Sequence, residues 1–285
     1  MDYLDKNADF EVYPVRRSRP IVDASFIELE SPVSTLPSAS TILITGCSSG
    51  FGLETARLFL DKGWHVIATM RTPREDLLPR SERLRVLALD VTDALSIRRC
   101  IDAAGPIDVL VNNAGVGVMA PLEGTSVETA RDVFETNTLG TIAMTKAVLA
   151  QFRERRAGMV VNVTSSVTLK ALPLISVYSA SKAAVNAFTE SLAFELAPFN
   201  VHVRLVLPGR APGTSFGANA RRRVSDGFPE AYVEFRDRRL AAVLDNEAPH
   251  TQSLDVAQAV WRAVTDPSAA MRTPAGADAL EAFRA

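Results

Sequence analysis

Cysteine and histidine are scarce in this chain. Its 285 residues include two cysteines, Cys47 and Cys100, and three histidines. The cysteines lie far apart with no repeated spacing, which argues against a disulfide framework, and the sequence offers no ligand cluster for a metal. Both thiols are therefore read as reduced. Long apolar runs are missing too. No stretch approaches the ~18 residues of a membrane span, and the first twenty residues carry acids rather than a signal-peptide core. The expected location is the cytoplasm. Net charge is nearly absent: 31 basic residues against 33 acidic ones leave -2, so no global attraction to nucleic acid or an anionic membrane is expected. What the chain does have is 47% hydrophobic residues, enough for one sizeable core, and a small molecule is the expected partner.

Residues 1 to about 39 show no sustained periodicity and end in the turn-rich SPVSTLPSAS, as expected of a mobile arm. The alternative is that Phe26, Ile27 and Leu29 dock it on a neighbouring subunit. From residue 41 the texture changes. Short apolar runs (TILIT, HVIATM, RVLAL, IDVLV, MVVNV and VHVRLVL) suit strands buried on both faces. Helical stretches at roughly 50–62, 93–104, 126–155 and 178–198 separate them. Thr125 with Glu128 makes a candidate capping box for the third, while Val185, Phe188, Leu192 and Leu196 share one face of the fourth. Such alternation implies an α/β fold with a doubly wound parallel sheet between two helical layers, as one Rossmann-type domain over 40–285. The tail can add a short strand near Met271. Residues from about 210 to 250 are irregular, polar and arginine-rich, and fall where such a sheet places a substrate lid.

The first strand runs into TGCSSGFG, residues 45–52, which opens a helix. Gly46 allows the tight turn, Gly50 lets backbone N–H groups approach a pyrophosphate, and Gly52 permits close helix packing. Later comes YSASK, residues 178–182. Four residues are about one helical turn, so the Tyr178 hydroxyl and the Lys182 ammonium can share a face. A phenol with a pKa of about 10 carries protons poorly at neutral pH, but a neighbouring cation favours its phenolate.

The T-G-x-x-x-G-x-G spacing, Asn112-Asn113-Ala114-Gly115 and Tyr-x-x-x-Lys occur in the order of the short-chain dehydrogenase/reductase family, which residues 41–210 resemble. The resemblance implies hydride transfer between a nicotinamide and a carbonyl or secondary alcohol, without a metal. Its implied cofactor contacts are Gly46, Ser48, Ser49, Gly50, Phe51 and Gly52 in the first turn, Asp90 and Val91 near the adenine, and Asn113, Ala114 and Gly115 beside the ribose. Pro208 and Gly209 would lie over the nicotinamide. Tyr178 is the implied general acid and base, Lys182 holds the ribose and lowers the tyrosine pKa, and Asn137 anchors a proton relay through its backbone carbonyl. The serine that polarises the substrate oxygen is either Ser165 or Ser166. Ser165 satisfies the count of thirteen residues before the tyrosine, but Ser166 is the second of the strand-end pair and is favoured. The family's threonine five residues after the proline is displaced by one, to Thr214. Relatives also pair through their two long helices, implying a homodimer or homotetramer.

At the end of strand two, Met70 fills the place where a carboxylate would select NAD(H), and Arg71 offers a fork of donors to a 2′-phosphate. NADP(H) is therefore the preferred cofactor, with NAD(H) possible. Substrate identity stays open. Arg221, Arg222 and Arg223 suit an anion or a solvated face, while Leu169, Leu172, Leu174 and Ile175 suit a lipophilic pocket or simple loop packing. A nucleotide-sensing regulator without turnover is the rival reading.

Overall fold

The computed structural model describes residues 40–223, 228–244 and 249–284. The expected arm at 1–39, with Phe26, Ile27 and Leu29, lies outside the described residues. Seven parallel strands form one sheet: β1 (Thr41–Ile44), β2 (His65–Met70), β3 (Leu84–Ala88), β4 (Val109–Asn112), β5 (Gly158–Val163), β6 (Val201–Pro208) and β7 (Arg272–Ala275). Their order is β3-β2-β1-β4-β5-β6-β7. The chain winds outward from β1 in one direction and from β4 in the other, so a crevice opens between the carboxyl ends of these two central strands. The short strand expected near Met271 is β7, paired with β6 from Leu205↔Arg272 to Pro208↔Ala275.

Strand alternation divides the core in two. Ile42 and Ile44 face a layer containing α1 (Gly50–Asp61) and α8 (Ser253–Thr265), whereas Leu43 faces α2 (Ala94–Ala104), α4 (Gly140–Arg155) and α5 (Ser176–Leu196). Phe59, Trp64 and Trp261 pack edge-on at centroid distances of 5.1–6.1 Å and lock α1 to α8. Arg204 breaks the apolar run of β6 for a specific reason. Its buried guanidinium donates to the Ala263, Asp266 and Pro267 carbonyls and so caps the end of α8, where the helix dipole favours a cation.

Three local expectations change. The helix expected at 126–155 is interrupted: α3 (Val127–Phe134) meets α4 through a π-helical turn at Glu135–Leu139. Its cap is Ser126, whose Oγ accepts from the Thr129 N–H at 3.1 Å, while the Thr125 hydroxyl donates to the Pro121 carbonyl of the preceding turn. The segment after β6 is not simply irregular, since it carries α6 (Phe216–Arg222) and α7 (Val233–Leu244). A final helix, α9 (Ala277–Arg284), follows β7. No described helix is long and apolar enough to cross a membrane.

Candidate active site

The carboxyl ends of β1 and β4 are tied by side-chain-to-backbone bonds. Thr45 Oγ1 accepts from the Asn113 and Ala114 N–H groups at 3.0 and 2.9 Å. In return Asn113 Nδ2 donates to the Thr45 and Gly46 carbonyls at 2.9 and 3.2 Å. Gly46 (φ 75°) and Gly50 (φ 57°) hold the left-handed conformations of the turn. A Cβ on Gly52 would collide with the Asn113 amide and the Gly46 carbonyl. The motif spacing gives Thr45 no role of its own. Its signal was the leading Thr of T-G-x-x-x-G-x-G, which looks like a strand residue until the partner strand is in place.

The turn ends at the start of α1, where Ser49 makes no side-chain cap. Ser48 and Ser49 are exposed, and Phe51 packs on the first core layer. The leading amides of α1 thus suit an anion. At the end of β2, Met70 is buried and Arg71 exposed. Asp90 follows β3, and its Oδ1 accepts from both the Thr92 N–H and hydroxyl, which together with the Arg71 charge hold its carboxyl below the usual range against some burial. Val91 is buried against Gly140.

On α5, Tyr178 and Lys182 are both buried, one turn apart. Burial pushes the Tyr178 phenol up to about 12, with the Ser165 hydroxyl acting in the opposite sense. Burial likewise pulls the Lys182 ammonium down to about 8. Lys182 Nζ donates to the Val163 carbonyl at 3.0 Å and sits beneath Gly115. Asn137 lies in the π-helical turn. Its amide bridges the Val116 N–H and C=O and reaches Ser181 Oγ at 3.0 Å, while its own carbonyl accepts from Thr141 Oγ1 at 2.9 Å. A π-turn displaces backbone from the ordinary helical ladder, and the Asn137 carbonyl keeps a second lone pair.

Of the two candidate serines, the structure brings Ser165 rather than the favoured Ser166 to the Tyr178 hydroxyl. Ser165 continues the extended strand (φ -170°, ψ 151°), is buried, and also reaches the Pro208 carbonyl at 3.5 Å. Ser166 opens the 3-10 turn Ser166–Thr168 instead. The chain turns at Ser166, so only the first serine of the pair continues the line of β5 towards the tyrosine, as the count of thirteen residues expects.

The Tyr178 ring belongs to an apolar cluster with Val118, Ala120 and Val133, edged by Val116, Val167, Ile175 and Val177. Phe216 covers it, its ring 5.5 Å from that of Tyr178. It rests on Gly117, where a Cβ would come within 2.8 Å of the ring. The arginines dominate the composition of this segment, yet it is the phenylalanine that reaches the site; Arg221 and Arg222 are exposed. Of the four candidate pocket residues, Ile175 joins the cluster, Leu174 is buried, Leu169 is half-buried and Leu172 is exposed. Leu174 has φ 66°, and its carbonyl accepts from the Ala120 N–H at 2.8 Å, which holds the loop before α5 against a disfavoured backbone. Thr214, the displaced threonine, faces Gly50, and Ser215 Oγ lies 3.5 Å from Ser49 Oγ. Pro208 ends β6, and the Gly209 N–H donates to Thr251 Oγ1 at 3.0 Å.

Comparisons with known proteins place the chain among relatives of one family. The short chain dehydrogenase family profile matches residues 40–224. A 3-ketodihydrosphingosine reductase of Bacteroides thetaiotaomicron is 35% identical over 82% of this chain and 87% of its own. Retinol dehydrogenase 8 of Homo sapiens is 40% identical over 71% of this chain and 70% of its own. Among solved structures, a short chain dehydrogenase from Burkholderia cenocepacia in complex with NADP superposes with a TM-score of 0.68 at 28% identity, covering 86% of this chain and 92% of its own. One from Burkholderia phymatum in complex with NAD gives 0.70 at 25% identity, covering 82% and 88%. With the glycine turn, the Asn113 brace and the Tyr178–Lys182 pair standing around one crevice, and with this breadth of similarity, the chain belongs to the short-chain dehydrogenase family.

Proposed function

We propose that the protein interconverts a lipophilic ketone and its secondary alcohol with NADP(H), and that Tyr178, Lys182, Ser165 and Asn137 carry the reaction. The observation that carries this reading is the Tyr178 hydroxyl, buried beside Ser165 at the mouth of an apolar cluster. The residues fit a dinucleotide. Gly46 and Gly52 leave no room for a Cβ, the uncapped start of α1 offers amides to a diphosphate, and exposed Arg71 stands where no carboxylate opposes a 2′-phosphate. When bound, the nicotinamide supplies or accepts the hydride.

The protein's own residues manage charge and protons. Ser165 and Tyr178 donate to the carbonyl oxygen, and Tyr178 gives up its proton as negative charge develops there. Burial holds that proton tightly, so the ammonium of Lys182 is needed to favour the phenolate. Asn137 supports replenishment through its backbone carbonyl in the π-helical turn, while its side-chain amide ties that turn to Ser181 of α5. The apolar walls and Phe216 select a substrate that is uncharged near its reacting carbon. Relatives named for 3-ketodihydrosphingosine and for retinol agree with such a site.

Steady-state kinetics on a panel of ketones with Tyr178→Phe, Ser165→Ala and Ser166→Ala test this reading. Loss of the general acid should lower kcat by about 10²–10⁴ with little change in cofactor affinity. Loss of one oxyanion donor at Ser165 should cost about 10²–10³, and Ser166→Ala much less. Retention of a third of the wild-type kcat in Tyr178→Phe would overturn the assignment.

A further inference from the structure

The buried stripe of α5 continues past the tyrosine and the lysine. Tyr178, Lys182 and Asn186 stand at successive intervals of four, so each lies about one turn beyond the last on one side of the helix, and all three are buried. The first two meet the candidate active site, while Asn186 meets the turn that follows Ser165. Its Nδ2 donates to Thr168 Oγ1 at 2.9 Å. Thr168 in turn holds the serine, because its hydroxyl and its N–H both donate to the Ser165 carbonyl, at 2.8 and 3.2 Å. The Val167 N–H donates to Ser165 Oγ itself at 3.3 Å. The turn, the serine backbone and the serine hydroxyl are thus coupled to one another.

The direction of these bonds is fixed. A hydroxyl has one proton, and Thr168 gives its proton to the Ser165 carbonyl, so towards Asn186 it can only accept. The group that faces it is therefore the NH2 of the amide, and Asn186 Oδ1 is left buried with no partner among the described residues. A stranded acceptor weakens a fold, whereas an apolar side chain would strand no atom of its own. The amide is a poor choice for stability, but it ties the serine turn to the helix that carries the tyrosine.

We propose that Asn186 is a positioning residue for the reaction: acting through Thr168, it sets the serine turn against α5 and so fixes where the Ser165 hydroxyl stands relative to that of Tyr178. The proposal rests on the functional reading above, in which both hydroxyls donate to one substrate oxygen. β5 by itself places Ser165 relative to the sheet, but the tyrosine rides on a helix packed against that sheet. A tie made from the same helix removes the slack between the two donors, and a pair aimed at one oxygen loses rate steeply when either shifts.

The test compares Asn186→Leu, Thr168→Val and Thr168→Ser with the wild type in the full-length chain, each also combined with Ser165→Ala. Asn186→Leu and Thr168→Val should each lower kcat by about tenfold, while the KM for the ketone and the Kd for NADPH change by no more than about twofold. Thr168→Ser keeps the hydroxyl and should retain at least about half of the wild-type kcat. In the Ser165→Ala background the tenfold loss should shrink below about twofold, because no serine hydroxyl is left to aim. A merely structural role would cost the same factor with and without Ser165, and that result overturns the proposal. A second readout needs no turnover, so it decides the matter even if no ketone is reduced: the NMR signal of isotope-labelled tyrosine Cζ, with Tyr178 identified by its loss in Tyr178→Phe. Asn186→Leu and Thr168→Val should move this signal in the same direction as Ser165→Ala does. A signal that Ser165→Ala moves and both other variants leave in place overturns the proposal and spares the functional reading. A signal that none of them moves strikes Ser165 from the site, and the proposal with it. Thr168 is only half-buried, so Thr168→Val carries the same comparison should Asn186→Leu fail to fold.

Discussion

The turn joining β1 to α1 and the segment after β6 face the same crevice but are held in different ways. At the turn, Thr45, Gly46, Gly52 and Asn113 satisfy one another's backbone groups at close quarters, and no side chain can be added. The later segment rests on a phenylalanine, a hydroxyl pair and a joint formed by Thr251 and Asp278. The first surface is braced where no Cβ fits at Gly46 or Gly52, whereas the second leaves open space beside Gly213. A cofactor common to many enzymes suits the first, while a substrate that must enter and leave suits the second.

Alanine scanning of glycines gives the sharpest way to break this contrast. Gly52→Ala should destabilise the fold by about 1–3 kcal/mol and weaken cofactor binding, because both collision partners are fixed by Thr45 and by the sheet. Gly213→Ala, with nothing within 4 Å of an added Cβ, should stay within about 0.5 kcal/mol of wild type in chemical denaturation. Equal losses at the two positions would erase the distinction between them. A smaller effect is expected at the rim of the rigid surface. Arg71→Ala should lower the ratio of kcat/KM for NADPH over NADH by about tenfold, the low end for a charged hydrogen bond because this arginine is exposed to solvent screening. An unchanged ratio would mean that Arg71 does not read the phosphate.

The smallest effect concerns pH. Burial lowers the Lys182 pKa to about 8, so its ammonium is present below that pH and lost above it. Because kcat/KM reports the free enzyme, its value with NADPH as the varied substrate should fall about fivefold from pH 8 to pH 9. A flat profile across that range would show that the lysine keeps its charge while buried. The same sign applies to stability. The unfolded chain binds the extra proton between the two pKa values, so this residue's contribution to folding improves as pH rises from about 8 towards the ordinary lysine value.

Much of the rigid surface was legible in the sequence because it is built from local rules. Glycine spacing reports backbone conformation directly, a spacing of four reports a helical face, and runs of buried apolar residues report parallel strands, so β1 to β6 and the positions of Tyr178 and Lys182 followed from residue order. Where two local rules disagreed, the sequence had no way to choose. Ser165 and Ser166 differ because the chain turns at Ser166, and the helical pattern through Asn137 carries no sign of the π-helical turn at Glu135–Leu139. Tertiary structure alone decided the rest. Arg204 in an apolar strand makes sense only once α8 ends above it, and Asp278, 68 residues from Arg210, has no sequence signal linking it to the crevice. The physical reason is that a hydrogen bond depends on where two groups meet in space, while sequence pattern records only what each segment prefers by itself.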